Sequence, residues 1–238
     1  GDPWPQVVKG FVERYDLVPC HKNCDLGPSN WRGEKLVDFS AFRFRDYDAY
    51  VAKLRERTRT RRGELMRKPY QPALGLEGRR DIAYRAQNLG LDTFDFTGKD
   101  VLDLGCNMGA FSRYALERGA RRVVGVDLKA ELAFEVNNVE GGWNIDIVLA
   151  RMPQEVGEIA AKTGIETFDV VFAFAFTGYV GGYDRWIGDL TRRWLFVESR
   201  GGETREDFEP NLNRDFESVE YRGQVHDNYH RHQWKCEK

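Results

Sequence analysis

Hydrophobic positions along the second two-thirds of the chain fall into two alternating rhythms. Short apolar runs recur at 100–104, 122–126, 145–149, 168–174 and 194–198, each the length of a strand. Between and before them lie stretches with apolar residues three and four apart, at 78–89, 110–118, 130–138, 153–162 and 183–192, which predict helices. Gly90 and Gly119 stand where the first two should stop. After Asp169 the run to Phe174 is wholly apolar, as in a strand covered on both faces. The tail alternates at 216–221 and 229–236, like an antiparallel pair at a sheet edge. This order predicts an α/β fold: a doubly wound, mostly parallel sheet of seven strands with a C-terminal antiparallel hairpin, over residues 78–238. Residues 1–77 are irregular, aromatic and basic, and predict a cap or substrate region set before that domain.

Composition narrows the classes. Hydrophobic residues at 41% suffice for a core in a chain of 238 residues, and charged residues make up 31%. No apolar run approaches the roughly 20 residues a membrane helix needs, so no membrane partner is expected. The four cysteines, Cys20, Cys24, Cys106 and Cys236, form no dense disulfide pattern, and reduced thiols in a cytoplasm are the simplest reading. The net charge of −2 hides an arm at 43–68 with a local balance of +6. Clustered arginines flanked by Phe42, Phe44, Tyr47 and Tyr50 suit RNA or a phosphorylated ligand, or a solvated helix face.

The chemistry concentrates where the first strand runs into Gly105-Cys106-Asn107-Met108-Gly109. Glycine there lets backbone approach a ligand, and the following helix offers unpaired N–H groups. About 20 residues on, the second strand ends in Asp127, placed to accept ribose hydroxyls. A dinucleotide fingerprint would need glycine where Asn107 stands. Asp103 just before the turn suits the charged end of a zwitterion rather than a pyrophosphate.

The stretch VLDLGCNMGAFSRYALERGARRVVGVD, residues 101–127, resembles the first two motifs of class I S-adenosyl-L-methionine (SAM)-dependent methyltransferases, a Rossmann-like family. The resemblance extends over about 78–238. It implies SAM as cofactor and S-adenosyl-L-homocysteine as product. It assigns Gly105, Asn107 and Gly109 to the methionine and ribose, Asp103 to the methionine end and Asp127 to the ribose hydroxyls. Leu128, Arg151, Met152 and Phe174 complete the expected cofactor set, with Arg80 reaching the SAM carboxylate. The acidic residue such enzymes often carry after the third strand is replaced here by Arg151 and Met152.

Transfer from a sulfonium needs mainly alignment of donor and acceptor. After the fourth strand the chain lacks the Asp/Asn-Pro-Pro-aromatic motif of base-amine methyltransferases. Tyr179 holds a place where related enzymes often carry His. Tyr179, Glu198 at the end of the fifth strand, and His226 in the tail are the candidate catalytic residues. Glu198 reads as an exposed strand-end carboxylate, and His230 with His232 as neighbours on one side of a strand. No metal site is expected. The expectation is methyl transfer to oxygen or nitrogen of a small-molecule acceptor such as a metabolite, natural product or glycan. The alternatives are an RNA-modifying methyltransferase using the basic arm and a SAM-binding scaffold without turnover.

Overall fold

The computed structural model describes residues 71, 80–128, 144–225 and 230–238. Helix α1 (Ile82–Leu89) starts where the Asp81 carboxylate accepts the Tyr84 N–H at 2.9 Å and stops at left-handed Gly90. Strand β1 (Asp100–Leu104) follows, then α2 (Ala110–Glu117), β2 (Arg122–Asp127) and β3 (Ile145–Leu149). Next come α3 (Gly157–Thr163), β4 (Phe168–Phe174), a 3₁₀ turn (Thr177–Tyr179), α4 (Arg185–Leu190) and β5 (Thr191–Glu198). Helix α5 (Arg205–Asp215) and the strands β6 (Ser218–Val225) and β7 (Arg231–Glu237) close the chain.

The seven strands lie in the order β3-β2-β1-β4-β5-β7-β6. β1 through β5 pair in parallel, and β7 runs antiparallel between β5 and β6. The doubly wound sheet with its antiparallel hairpin is the one the apolar rhythm predicts. Successive strand residues alternate between two cores. Val101, Val123, Ile147, Val170, Phe172 and Phe196 pack with Phe111 of α2 and Leu89 of α1. Leu102, Val124, Val148, Val171, Leu195 and Val197 pack with Ile159 of α3, Ile187 of α4 and Phe208 of α5.

Three expectations are corrected. The helix expected over 183–192 is shorter, because Thr191–Arg193 already belong to β5, where Thr191 pairs with Phe168 of β4. Helix α5 was not expected: Pro210 interrupts its pattern, and only Phe208 and Leu212 are buried. His230 does not share a strand with His232: it precedes β7, exposed, at φ 49°. The helix expected over 130–138, the cap over 1–77 apart from Gln71, the basic arm and His226 lie outside the described residues. Among the described residues no helix is long and apolar enough to cross a membrane.

Candidate cofactor and acceptor site

The loop between β1 and α2 is held in an unusual backbone by its neighbours. Gly105, Asn107 and Gly109 take φ of 72°, 52° and 75°, the left-handed region that favours glycine and tolerates asparagine. The N–H groups of Gly105 and Cys106 both donate to the Val126 carbonyl, at 2.7 and 3.1 Å, tying the loop to the end of β2. The N–H of Asn107 donates to Asp127 Oδ2 at 3.0 Å. Cys106 tucks under the loop against Gly125, where a Cβ would lie 3.0 Å from its sulfur. Burial pushes its thiol well up, which makes it a packing group rather than a nucleophile.

Beneath the loop, Asp103 is buried and accepts the Ser112 hydroxyl at 2.6 Å. Burial raises its carboxyl to about 6; the Ser112 hydrogen bond opposes the rise and the nearby Asp127 charge adds to it. The side-chain oxygen of Asn107 is buried and accepts no hydrogen bond among the described residues. The loop thus presents one buried oxygen, that of Asn107, without a donor among the described residues. On its other flank, the Gln71 side-chain oxygen accepts the N–H of Ala110, the first residue of α2, at 3.2 Å.

The outer candidates spread along the carboxyl ends of the strands. Leu128 is half exposed just after Asp127. Arg151 is exposed and its backbone N–H donates to Glu155 at 2.6 Å, while Met152 is buried. Phe174 ends β4 half-buried, 4.5 Å from the Phe111 ring and stacked on Phe172 at 5.0 Å. Ala175 follows at φ 55°, and two residues beyond Phe174 the Phe176 ring covers Gly105. Arg80 is half-buried ahead of α1.

Beyond β4 and β5 the two loops border an open cleft of about 500 Å³, lined by Gly178, Gly181, Gly182, Arg200, Glu203 and Asp207 among others. Tyr179 stands at 76% exposure with the Arg200 guanidinium 4.8 Å from its ring centre. Glu203 locks the two loops together, its Oε2 accepting both the Arg200 N–H at 2.5 Å and the Thr177 hydroxyl at 3.1 Å. Glycine at 178 makes room for Arg200, since a Cβ there would force the Arg200 side chain to shift.

Glu198 is not the exposed carboxylate the sequence implied. It is fully buried, with four donors on its two oxygens: Arg85 Nη2 and Arg231 Nη1 on Oε1 at 2.9 and 3.0 Å, Arg85 Nε and Gln233 Nε2 on Oε2 at 3.2 and 2.8 Å. Arg85 was overlooked, although its place on the apolar stripe Ile82, Arg85, Ala86, Leu89 marks it as an inward-facing charge. Gln71 carried no local signal. His232 was read as a neighbour of His230 on one side of a strand. Its Nδ1 lies 2.8 Å from the Tyr221 hydroxyl, and burial, then the nearby Arg205 charge, lowers its pKa. Among the described residues no three His, Cys, Asp or Glu side chains gather as a metal centre.

Over residues 87–173 the chain matches the FtsJ-like methyltransferase family. It is 30% identical over 123 residues to a ribosomal protein L11 methyltransferase of Shewanella pealeana, covering 49% of this chain and 41% of the relative. It is 36% identical over 89 residues to that of Alteromonas mediterranea, covering 37% and 28%. The chain thus spans less than half the length of these curated relatives. In structure it resembles magnesium protoporphyrin IX methyltransferase of Synechocystis, solved with bound SAM, at a TM-score of 0.50 and 17% identity, covering 66% of this chain and 77% of that one. That likeness is one of fold.

Proposed function

We infer, for a chain that belongs to the class I SAM-dependent methyltransferase family, that it transfers the SAM methyl group to oxygen or nitrogen of a polar acceptor seated between the β4 and β5 loops. The observation that carries this reading is the strand–loop–helix cradle in which Asp127 fixes the Asn107 N–H. Its donor and acceptor set fits the cofactor. The bondless buried oxygen of Asn107 and the Asp103 carboxylate suit the methionine ammonium. Gly105 and Gly109 give room for the chain of the methionine and the ribose. Asp127 has a carboxylate to receive the ribose hydroxyls. Leu128, Met152 and the stem of Arg151 are assigned to the adenine, and Phe174 and Arg80 to the methionine end.

SAM supplies a methyl already activated on a sulfonium; the acceptor gains it, sheds its proton, and S-adenosyl-L-homocysteine is left. The protein's part is alignment and exclusion of water. Phe174 and Phe176 give the region beside the loop apolar walls. Tyr179 and Arg200 offer the acceptor a stacking face and a cation. Glu198, fully bonded inside the fold, is not assigned proton transfer.

A small molecule suits a cleft of this size. A protein acceptor is the second reading, favoured by the relatives that act on ribosomal protein L11. The first test is calorimetric titration of the protein with SAM and with S-adenosyl-L-homocysteine, beside Asp127→Ala. Binding of both ligands, weakened by the substitution, is expected. Folded protein that binds neither ends the methyltransferase reading.

A further inference from the structure

The side chains lining the cleft beyond β4 and β5 bring hydrogen-bond donors and acceptors in balance. Arg200 brings donors alone; its Nη1 reaches the Gly178 carbonyl at 3.3 Å, and it joins no ion pair among the described residues. Glu203 and Asp207 bring acceptors alone. In each, one oxygen is taken inside the protein: Glu203 Oε2 by the Arg200 N–H and the Thr177 hydroxyl, Asp207 Oδ2 by the Thr204 N–H and hydroxyl. The other oxygen of each meets no donor among the described residues. Asn211 completes the set, with its oxygen accepting from Arg214 at 3.1 Å and its amide N–H groups left as donors. The lining aromatics Tyr183 and Phe208 are buried in the core. Much of the remaining wall is glycine backbone, and a Cβ at Gly181 or Gly182 would meet nothing within 4 Å. At the rim, the Arg200 guanidinium lies over the Tyr179 ring, most of which stands in solvent.

This lining selects its ligand. An apolar acceptor would strip these polar groups of water and give nothing back. A singly charged one would satisfy one sign and meet the other. The neutral group that both donates and accepts is a hydroxyl, and neighbouring hydroxyls of a sugar ring suit the two-pronged carboxylate and guanidinium. The exposed Tyr179 ring gives the C–H face of such a sugar a flat apolar platform. We propose that the acceptor is a saccharide, a pyranose ring laid against Tyr179 with its hydroxyls held among Arg200, Glu203, Asp207 and Asn211, and methylated on one of them. This rests on the methyltransferase reading and narrows its polar acceptor to a polyhydroxylated one. In the transfer the hydroxyl oxygen bonds the methyl carbon as the C–S bond breaks, the sulfur keeps the bonding pair, and the hydroxyl proton passes to solvent through the open cleft.

The test saturates the protein with S-adenosyl-L-homocysteine and follows its amide NMR spectrum during titration with methyl β-D-glucopyranoside and methyl β-D-galactopyranoside. Catechol and n-butylamine, a phenol and an amine, serve as comparisons. At least one pyranoside should move the Gly178, Gly181 and Gly201 signals saturably at millimolar concentration, and the comparison compounds should not. Tyr179→Ala should weaken that sugar about tenfold, the worth of one ring platform, and Asn211→Ala severalfold, both leaving S-adenosyl-L-homocysteine affinity unchanged. Saturable shifts from catechol or n-butylamine without shifts from either sugar would overturn the saccharide assignment and leave the methyltransferase reading standing. Sugar binding untouched by Tyr179→Ala, or no ligand moving these glycines, would overturn it equally. Protein that fails to bind S-adenosyl-L-homocysteine at all would overturn the methyltransferase reading itself, and this inference with it.

Discussion

Arg85 and Glu198, 113 positions apart in the chain, meet as a two-pronged ion pair sealed from solvent, with contacts of 2.9 and 3.2 Å. Arg231 and Gln233 complete the ring of donors, so the pair ties α1 to β5 and β7 at once. The Arg85 guanidinium also lies 4.9 Å from the Phe111 ring and 5.8 Å from that of Phe174, carrying the contact toward the glycine loop.

Removing one member of such a group leaves buried charge without its counter-ion. Glu198→Ala should therefore cost about 3–5 kcal/mol in urea unfolding, and Glu198→Gln less, because the amide still accepts from one arginine. Unchanged stability with lost methyl transfer would instead return Glu198 to the reacting groups.

Asp103 gives the fold a pH dependence of definite sign. Its folded pKa, about 6, lies above the roughly 3.9 of an unfolded aspartate, so its contribution to stability is full below pH ~4 and lost as pH rises through about 6. Asp103→Asn should remove a decline of roughly 2–3 kcal/mol across that window, read from thermal melts. A cationic ligand beside the carboxylate favours its charged form. SAM binding should accordingly release a proton and tighten as pH rises through 6, and should lose that dependence in Asp103→Asn.

Gly105→Ala meets two obstacles. The residue sits at φ 72°, and its new Cβ would lie 2.9 Å from Phe176 Cδ2. A loss of about 1–3 kcal/mol in stability is expected, with weaker S-adenosyl-L-homocysteine binding. Adding Phe176→Leu should recover part of the stability by relieving the contact, but not the cost of the left-handed backbone.

The β4–β5 cleft is tested by Gly178→Ala, which pushes Arg200 off Tyr179, and by Tyr179→Ala, which removes the platform. Both should raise KM for the acceptor severalfold while leaving S-adenosyl-L-homocysteine titrations unchanged. An effect on cofactor affinity alone would move the acceptor elsewhere.

Much of this architecture was legible in the chain because its causes are local. A strand shows its period of two and a helix its stripe wherever one face meets a core, so Val101–Leu104 and Phe168–Phe174 declare themselves. Gly105, Asn107 and Gly109 were readable because backbone at positive φ admits few residue types, and Asp127 because a strand end fixes where its carboxylate stands. Helix α5 escaped because a surface helix anchored by Phe208 and Leu212 alone has too narrow an apolar stripe to register.

The sequence by itself settled the succession of the strands along the chain, the two-faced sheet and the glycine loop. The tertiary structure decided the partners. Glu198 became a buried anchor because the β5–β7 pairing sets Gln233 opposite it while α1 brings Arg85 from above. Gln71, 39 positions earlier in the chain, meets the first N–H of α2 through space. Periodicity records which side of an element meets the core. Which groups meet there depends on strand order and helix docking, set by the packing of the whole chain and written in no single segment of it.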